Sequence, residues 1–197
     1  MSYAFILLGW ALFGLIHSVT ASFWFKQQVA LNFGKLTPYY RLVYNGLALL
    51  TLLGVLWLHQ RAPDDLLSAW PGSSFLGLLV SSLGLTVAIL ALRVYNLAEF
   101  VGWPITTPQP AQSVFRQNGL LQYVRHPLYT GIILTLIGLV LVHPSWSYLL
   151  LLMAATLYIR IGIYFEEQKL MATFGKVYQL YRGRVPMLLP RLWSTHP

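Results

Sequence analysis

Long apolar runs separated by short polar stretches set the pattern of this chain. The first run extends from about Tyr3 to Phe25, with no Lys, Arg, Asp or Glu before Lys26. At a rise of about 1.5 Å per residue, that is enough helix to cross a hydrocarbon layer of about 30 Å. Further runs lie at about Tyr40 to Leu58, Ser74 to Leu97, Leu128 to Val142 and Trp146 to Phe165. The fourth is short. Followed by His143-Pro144-Ser145, it reads as one arm of a tight helical hairpin whose other arm carries the leucines from Leu149 to Leu152. The pattern predicts an all-α integral membrane protein with about five transmembrane helices.

Composition supports a bilayer as the solvent. Of 197 residues, 57% are hydrophobic and only 9% charged, too few polar side chains to cover a water-facing surface. The 13 Lys and Arg exceed the 5 Asp and Glu by eight. In this setting the excess marks loops on one side of the membrane rather than a nucleic-acid partner. The loops alternate. Lys26, Lys35 and Arg41 fall in the first connection, whereas Arg61 in the second is offset by Asp64 and Asp65. Arg93, Arg116 and Arg125 fall in the third, none in the fourth, and Lys169, Lys176, Arg182, Arg184 and Arg191 in the tail. This places the N-terminus outside and the C-terminus in the cytoplasm, with the polar segments Ala98 to Pro127 and Glu166 to Pro197. Val19-Thr20-Ala21 resembles a cleavage site, but no basic residues precede the apolar core, so the first run reads as a retained helix. The absence of cysteine removes disulfides, thiolate metal sites and a cysteine nucleophile.

Small residues recur at helical spacing in the first run (Gly14, Ser18, Ser22) and the third (Gly77, Ser81, Gly84, Ala88), a pattern that lets helix backbones approach closely. Candidate chemistry concentrates in the two polar segments. Tyr123, Arg125 and His126 stand at the entry of the fourth run, with Pro127 suited to the first helical turn, then Tyr129 and Gly131. Cationic donors beside unpaired helix amides suit an anionic group, although Arg125 snorkelling to lipid phosphates with Tyr129 in the aromatic belt explains them equally well. Beyond the fifth run come Glu166 and Glu167, two of the three carboxylates that, with Glu99, stand near the inner boundary. Adjacent carboxylates near lipid ask for a cation or a ligand. Leu170, Phe174, Tyr178 and Tyr181 share one helical stripe if Gly175 does not end the helix.

The run Arg125-His126-Pro127-Leu128-Tyr129-Thr130-Gly131, the paired glutamates, and Phe174-Gly175 followed by Tyr178, Tyr181 and Val185-Pro186 closely resemble the membrane superfamily of isoprenylcysteine carboxyl methyltransferases and phospholipid methyltransferases. The resemblance covers about Gly119 to Pro190. His17-Ser18 and Tyr40-Arg41-Leu42-Val43-Tyr44-Asn45 are more similar to the methanethiol S-methyltransferase branch. The resemblance implies one methyltransferase domain over residues 1–197, with a three-helix part at 1–97 and a cofactor-binding catalytic part with the hairpin at 98–197. It implies S-adenosylmethionine as cofactor. Arg125 and His126 suit its carboxylate, Glu166 or Glu167 its amine and ribose, and Tyr129, Tyr178 and Tyr181 its adenine or sulfonium; Tyr123, Pro127 and Gly131 join the cofactor set by position.

For the acceptor, His17 lies about 12 Å deep in the first run and is a candidate base, with a packed, hydrogen-bonded histidine as the equal alternative. Arg160 is a candidate for holding an acceptor, though within snorkelling reach of the surface. With Glu167 they form the catalytic candidates. Isoprenylcysteine enzymes tend to carry an Arg one turn before the glutamate pair, where this chain has Gly162, so a lipophilic or small acceptor, neutral or a thiol, is expected over a prenylcysteine carboxylate. The alternatives are a carboxyl or phospholipid methyltransferase. From other classes come a haem- or quinone-linked electron carrier, whose histidines would sit at unmatched depths, and a transporter, for which inverted repeats are missing.

Overall fold

The computed structural model describes residues 2–63, 65–93, 98, 101–103 and 115–191. Glu99, Asp64, the end of the third run and much of the expected polar segment from Ala98 lie outside these residues. Helix α1 spans Tyr3–Ala21, α2 Phe23–Asn32, α3 Tyr40–Gln60, α4 Ser73–Leu92, α5 Pro127–Val142, α6 Trp146–Phe174 and α7 Lys176–Arg184. The described residues contain no strand, only an isolated bridge between Leu66 and Ser145. Among the described residues four helices are long and apolar enough to cross a membrane, and α5 is a shorter apolar helix. The protein is an all-α, multi-pass membrane protein.

Two boundaries differ from the sequence pattern. The first apolar run does not continue to Phe25: it breaks at Ser22, whose hydroxyl accepts from the Phe25 amide at 3.2 Å and starts α2. An apolar run records solubility in lipid, and a serine able to cap a new helix is enough to divide it. The last run extends further, because α6 continues unbroken for 29 residues. That is about 43 Å of helix against about 30 Å of hydrocarbon. We take Trp146 to Phe165 as the spanning part, with the polar turns from Glu166 outside it. Gly175, at φ 52, ends α6, so the stripe from Leu170 to Tyr181 is not one continuous helix.

The chain forms two compact units. The first holds residues 1–65 and 95–109. Within it α1 packs on α3, with Gly9 facing Leu58 and Val55. Polar groups pair between these helices: Tyr44 with His17 at 2.5 Å, Trp10 with His59 at 3.1 Å, and the Tyr40 hydroxyl with the Thr20 carbonyl.

The second unit holds residues 66–94 and 110–197. Its centre is the α4–α5 pair, which meets along small residues. A Cβ added at Gly84 would fall 2.4 Å from the Thr135 amide nitrogen, and one added at Gly138 would fall 2.4 Å from that of Ser81. Gly77 and Gly131 are equally closed. The small-residue stripe of the third run is therefore the seam on which two backbones touch, and the Ser81 hydroxyl seals it by donating to the Thr135 carbonyl at 3.1 Å.

Candidate active site

The site is built where α5 begins. Pro127 occupies the first helical turn, where its missing N–H costs nothing, and is fully buried. The two residues before it are held by the chain that follows α7. The Arg125 amide donates to the Pro186 carbonyl at 2.9 Å and the His126 amide to that of Met187 at 3.1 Å. The Thr130 hydroxyl donates to the Leu188 carbonyl at 2.8 Å. Residues 185–188 thus form a strap across the α5 N-terminus.

Glu167 ties this arrangement together from α6. Arg125 Nε donates to its Oε1 at 2.8 Å, and the Arg125 terminal nitrogen lies 2.7 Å from the same oxygen. His126 Nε2 is 3.2 Å from Oε1, and Arg182 Nε is 3.5 Å from Oε2. The other face of the Arg125 guanidinium donates to the carbonyls of Val185 at 2.6 Å and Arg182 at 3.2 Å. Burial raises the Glu167 pKa, but the hydrogen bonds from Arg125 and His126 and their charge outweigh it, leaving this carboxyl below its ordinary value. Glu166 contrasts with it. Its side chain is 40% exposed against 8% for Glu167, and among the described residues its carboxylate pairs with His126 Nδ1, at 3.8 Å.

An aromatic wall closes the same region. Phe115 lies with ring centres 5.0 Å from Phe174, 5.6 Å from Tyr178 and 5.0 Å from Tyr181. The Tyr181 hydroxyl donates to the Leu121 carbonyl at 2.7 Å. Tyr178 is 1% exposed, and its hydroxyl meets no hydrogen-bond partner of good geometry among the described residues. Burial, then the nearby Glu167 charge, pushes its pKa up to about 12. Gly175 turns the chain so that α7 aims both tyrosines at Phe115, which restores by a bend what a continuous stripe would have supplied.

Of the other expected residues, Tyr129 stacks on His126 with ring centres 5.8 Å apart, and Tyr123 is exposed. Gly131 faces the Ala88 and Gly84 backbones, so helix packing accounts for it. Arg160 is exposed on α6, its guanidinium against the Met187 sulfur. His17 belongs to the first unit, where it stacks between Phe13 and Tyr44. Sequence reasoning missed the parts played by Phe115, Thr130, Arg182, Met187 and Tyr44. Thr130 and Tyr44 stood inside the runs that carry the family resemblance and Arg182 among the tail's basic residues, but each partner lies far away in sequence, and Phe115 and Met187 belong to no motif.

The family model for phospholipid methyltransferases matches residues 73–177, more than half of the chain and all of α4, α5 and α6. The chain belongs to the phospholipid methyltransferase family. It is a membrane methyltransferase, and its curated relatives carry a more specific name. It is 33% identical, over 95% of its length and 73% of theirs, to methanethiol S-methyltransferase 2 of Bradyrhizobium diazoefficiens. It is 30% identical to the methanethiol S-methyltransferase of Pseudomonas deceptionensis, over 92% of this chain and 70% of that one. With that of a Pseudomonas species it shares 31% identity over 78% of this chain and 60% of the relative. No solved structure matches it significantly. The family match includes Arg125, His126, Glu166 and Glu167 but stops before the strap at 185–188 that Arg125 holds.

Proposed function

We propose that this protein is an S-adenosylmethionine-dependent methyltransferase whose acceptor is a small thiol. The observation that carries the cofactor reading is the convergence of three distant stretches, Phe115 to Thr130, Glu166 to Tyr181 and the strap, around the first turn of α5. The donor set fits such a molecule. The opening amides of α5 and the His126 ring suit a carboxylate, the exposed Glu166 suits an amine, and Tyr129 with the Phe115, Tyr178 and Tyr181 rings suits an adenine and a sulfonium. Arg125 and Glu167 spend their hydrogen bonds on the protein itself, so their proposed part is to hold His126 and the strap in place. The cofactor supplies a methyl group on a positively charged sulfur. The protein's contribution is to orient that group, keep water out with buried tyrosines, and present the acceptor in line.

A thiol acceptor loses its proton and leaves as a methyl thioether. The names of the relatives and Gly162, where isoprenylcysteine enzymes carry an arginine, both support this acceptor. The loop charges support a cytoplasmic face for the α5 entry, which gives access to cytosolic cofactor. The test is turnover by purified protein with labelled S-adenosylmethionine and, separately, methanethiol, a prenylcysteine analogue and phospholipid vesicles. Labelled dimethyl sulfide from the first alone is the expected result. Labelled lipid with no volatile product would replace the thiol by a phospholipid.

A further inference from the structure

Arg160 lies seven residues before Glu167 on α6, which places it about 20° around the helix from Glu167 and roughly 10 Å deeper along it. Ile163, between them on this face, is 1% exposed. Arg160 therefore leaves α6 within the apolar stretch, on the side of the helix that carries Glu167, and its side chain is exposed in the fold. Among the described residues it pairs with no carboxylate, and its terminal nitrogen lies in close contact with the thioether sulfur of Met187. A thioether is a weak acceptor and poor compensation for a cation at membrane depth. One turn deeper on the same face, the Thr156 hydroxyl is inaccessible and makes no hydrogen bond among the described residues. A helical threonine in that setting ordinarily bonds the carbonyl four residues back.

We propose that Arg160 is the residue that receives the acceptor's sulfur, and that Met187 sets the acceptor's size by filling that subsite. The end of a methionine side chain is a CH3–S–CH2 group, the chemistry of a methylated small thiol. Its position is held through the backbone, because the Met187 carbonyl is fixed by the His126 amide next to the proposed cofactor site. The unbranched side chain can swing aside for a small thiol, whose sulfur then takes the guanidinium with a full or partial negative charge that the thioether lacks. A longer alkyl group meets the rest of the methionine. The inference rests on the thiol reading above and adds the binding residue and the size limit.

The test uses full-length purified protein and measures kcat/KM for methanethiol, 1-propanethiol and 1-hexanethiol. Met187→Ala is expected to raise the ratio of hexanethiol to methanethiol efficiency at least tenfold, whereas Met187→Leu, of similar volume, keeps the wild-type size limit. Arg160→Gln is expected to raise KM for methanethiol tenfold or more with unchanged affinity for S-adenosylhomocysteine by calorimetry. If Met187→Ala is unstable, Met187→Val provides the same readout. Wild-type turnover of thiols with an unchanged chain-length profile in the alanine and valine variants would overturn this inference alone. Wild-type protein that methylates no thiol would overturn the thiol reading and the inference together.

Discussion

Glu166 and Glu167 are neighbours in sequence and opposites in environment: one turns a partly exposed carboxylate outward, the other is enclosed by Arg125, His126 and Arg182. Removing the Glu167 charge leaves a buried guanidinium uncompensated, a loss of about 3 kcal/mol or more. Glu167→Gln should therefore lower the melting temperature and open the strap to protease, as read by thermal scanning and limited proteolysis. Glu166→Gln should leave stability near wild type yet weaken S-adenosylhomocysteine about tenfold or more in calorimetry, since a hydrogen bond to a charged group is worth about 1.5–3 kcal/mol. The pH dependence follows from Glu167. Its folded pKa lies below its ordinary value of 4.5, so the stability it contributes is present above that value and is lost as pH falls beneath it. The acid limb of the thermal stability profile should flatten in Glu167→Gln. The glutamate pair was legible in the sequence, but which member held protein and which stayed available was not, because adjacent residues on a helix face directions about 100° apart and only the packing partner decides between them. His17 was legible as a buried polar group, and its partner Tyr44 was not, being 27 residues away.

At the scale of elements, α5 could be placed to within a residue because Pro127 starts it and His143-Pro144 ends its apolar run. Its partner was harder to see. The stripe Gly77, Ser81, Gly84 and Ala88 told that α4 would approach some helix closely, while of the matching residues Gly131 sat within a motif that drew attention to chemistry, and Thr135 and Gly138 are too few to mark a stripe. In lipid the gain from association comes from contact itself, so a filled seam separates the helices over several turns. Gly84→Val should therefore destabilise the protein by about 1–3 kcal/mol, the usual penalty for overpacking. Gly54→Val, where an added Cβ meets nothing within 4 Å, is the control. Equal thermal stability of the two variants in detergent would remove the seam from the account of the fold. The Gly175 break marks the limit of reading stripes: a helical wheel placed the tyrosines of α7 correctly only because a turn with positive φ re-aimed them.

For the whole molecule, charge alternation predicts where each connection lies, and the functional reading depends on it. Cytosolic cofactor reaches the α5 entry only if the basic connections face the cytoplasm, since a charged sulfonium compound does not cross hydrocarbon. The absence of cysteine from the chain makes a direct measurement simple, because any introduced thiol is the sole target of a maleimide. Exposed Gln28 follows α1, exposed Ser68 separates α3 from α4, and exposed Gln179 lies on α7. In intact cells, Ser68→Cys should react with an impermeant maleimide, whereas Gln28→Cys and Gln179→Cys should react only after the membrane is opened. The expected pattern follows from counting spans as well as from charge: with α1, α3, α4, α5 and α6 crossing in turn, two crossings (α3 and α4) separate Gln28 from the α5 entry and two more (α5 and α6) separate that entry from Gln179, so all three share one side. Labelling of Gln179→Cys in intact cells would put the Glu167 network and the strap on the outer face, and the cofactor assignment would fall with the orientation.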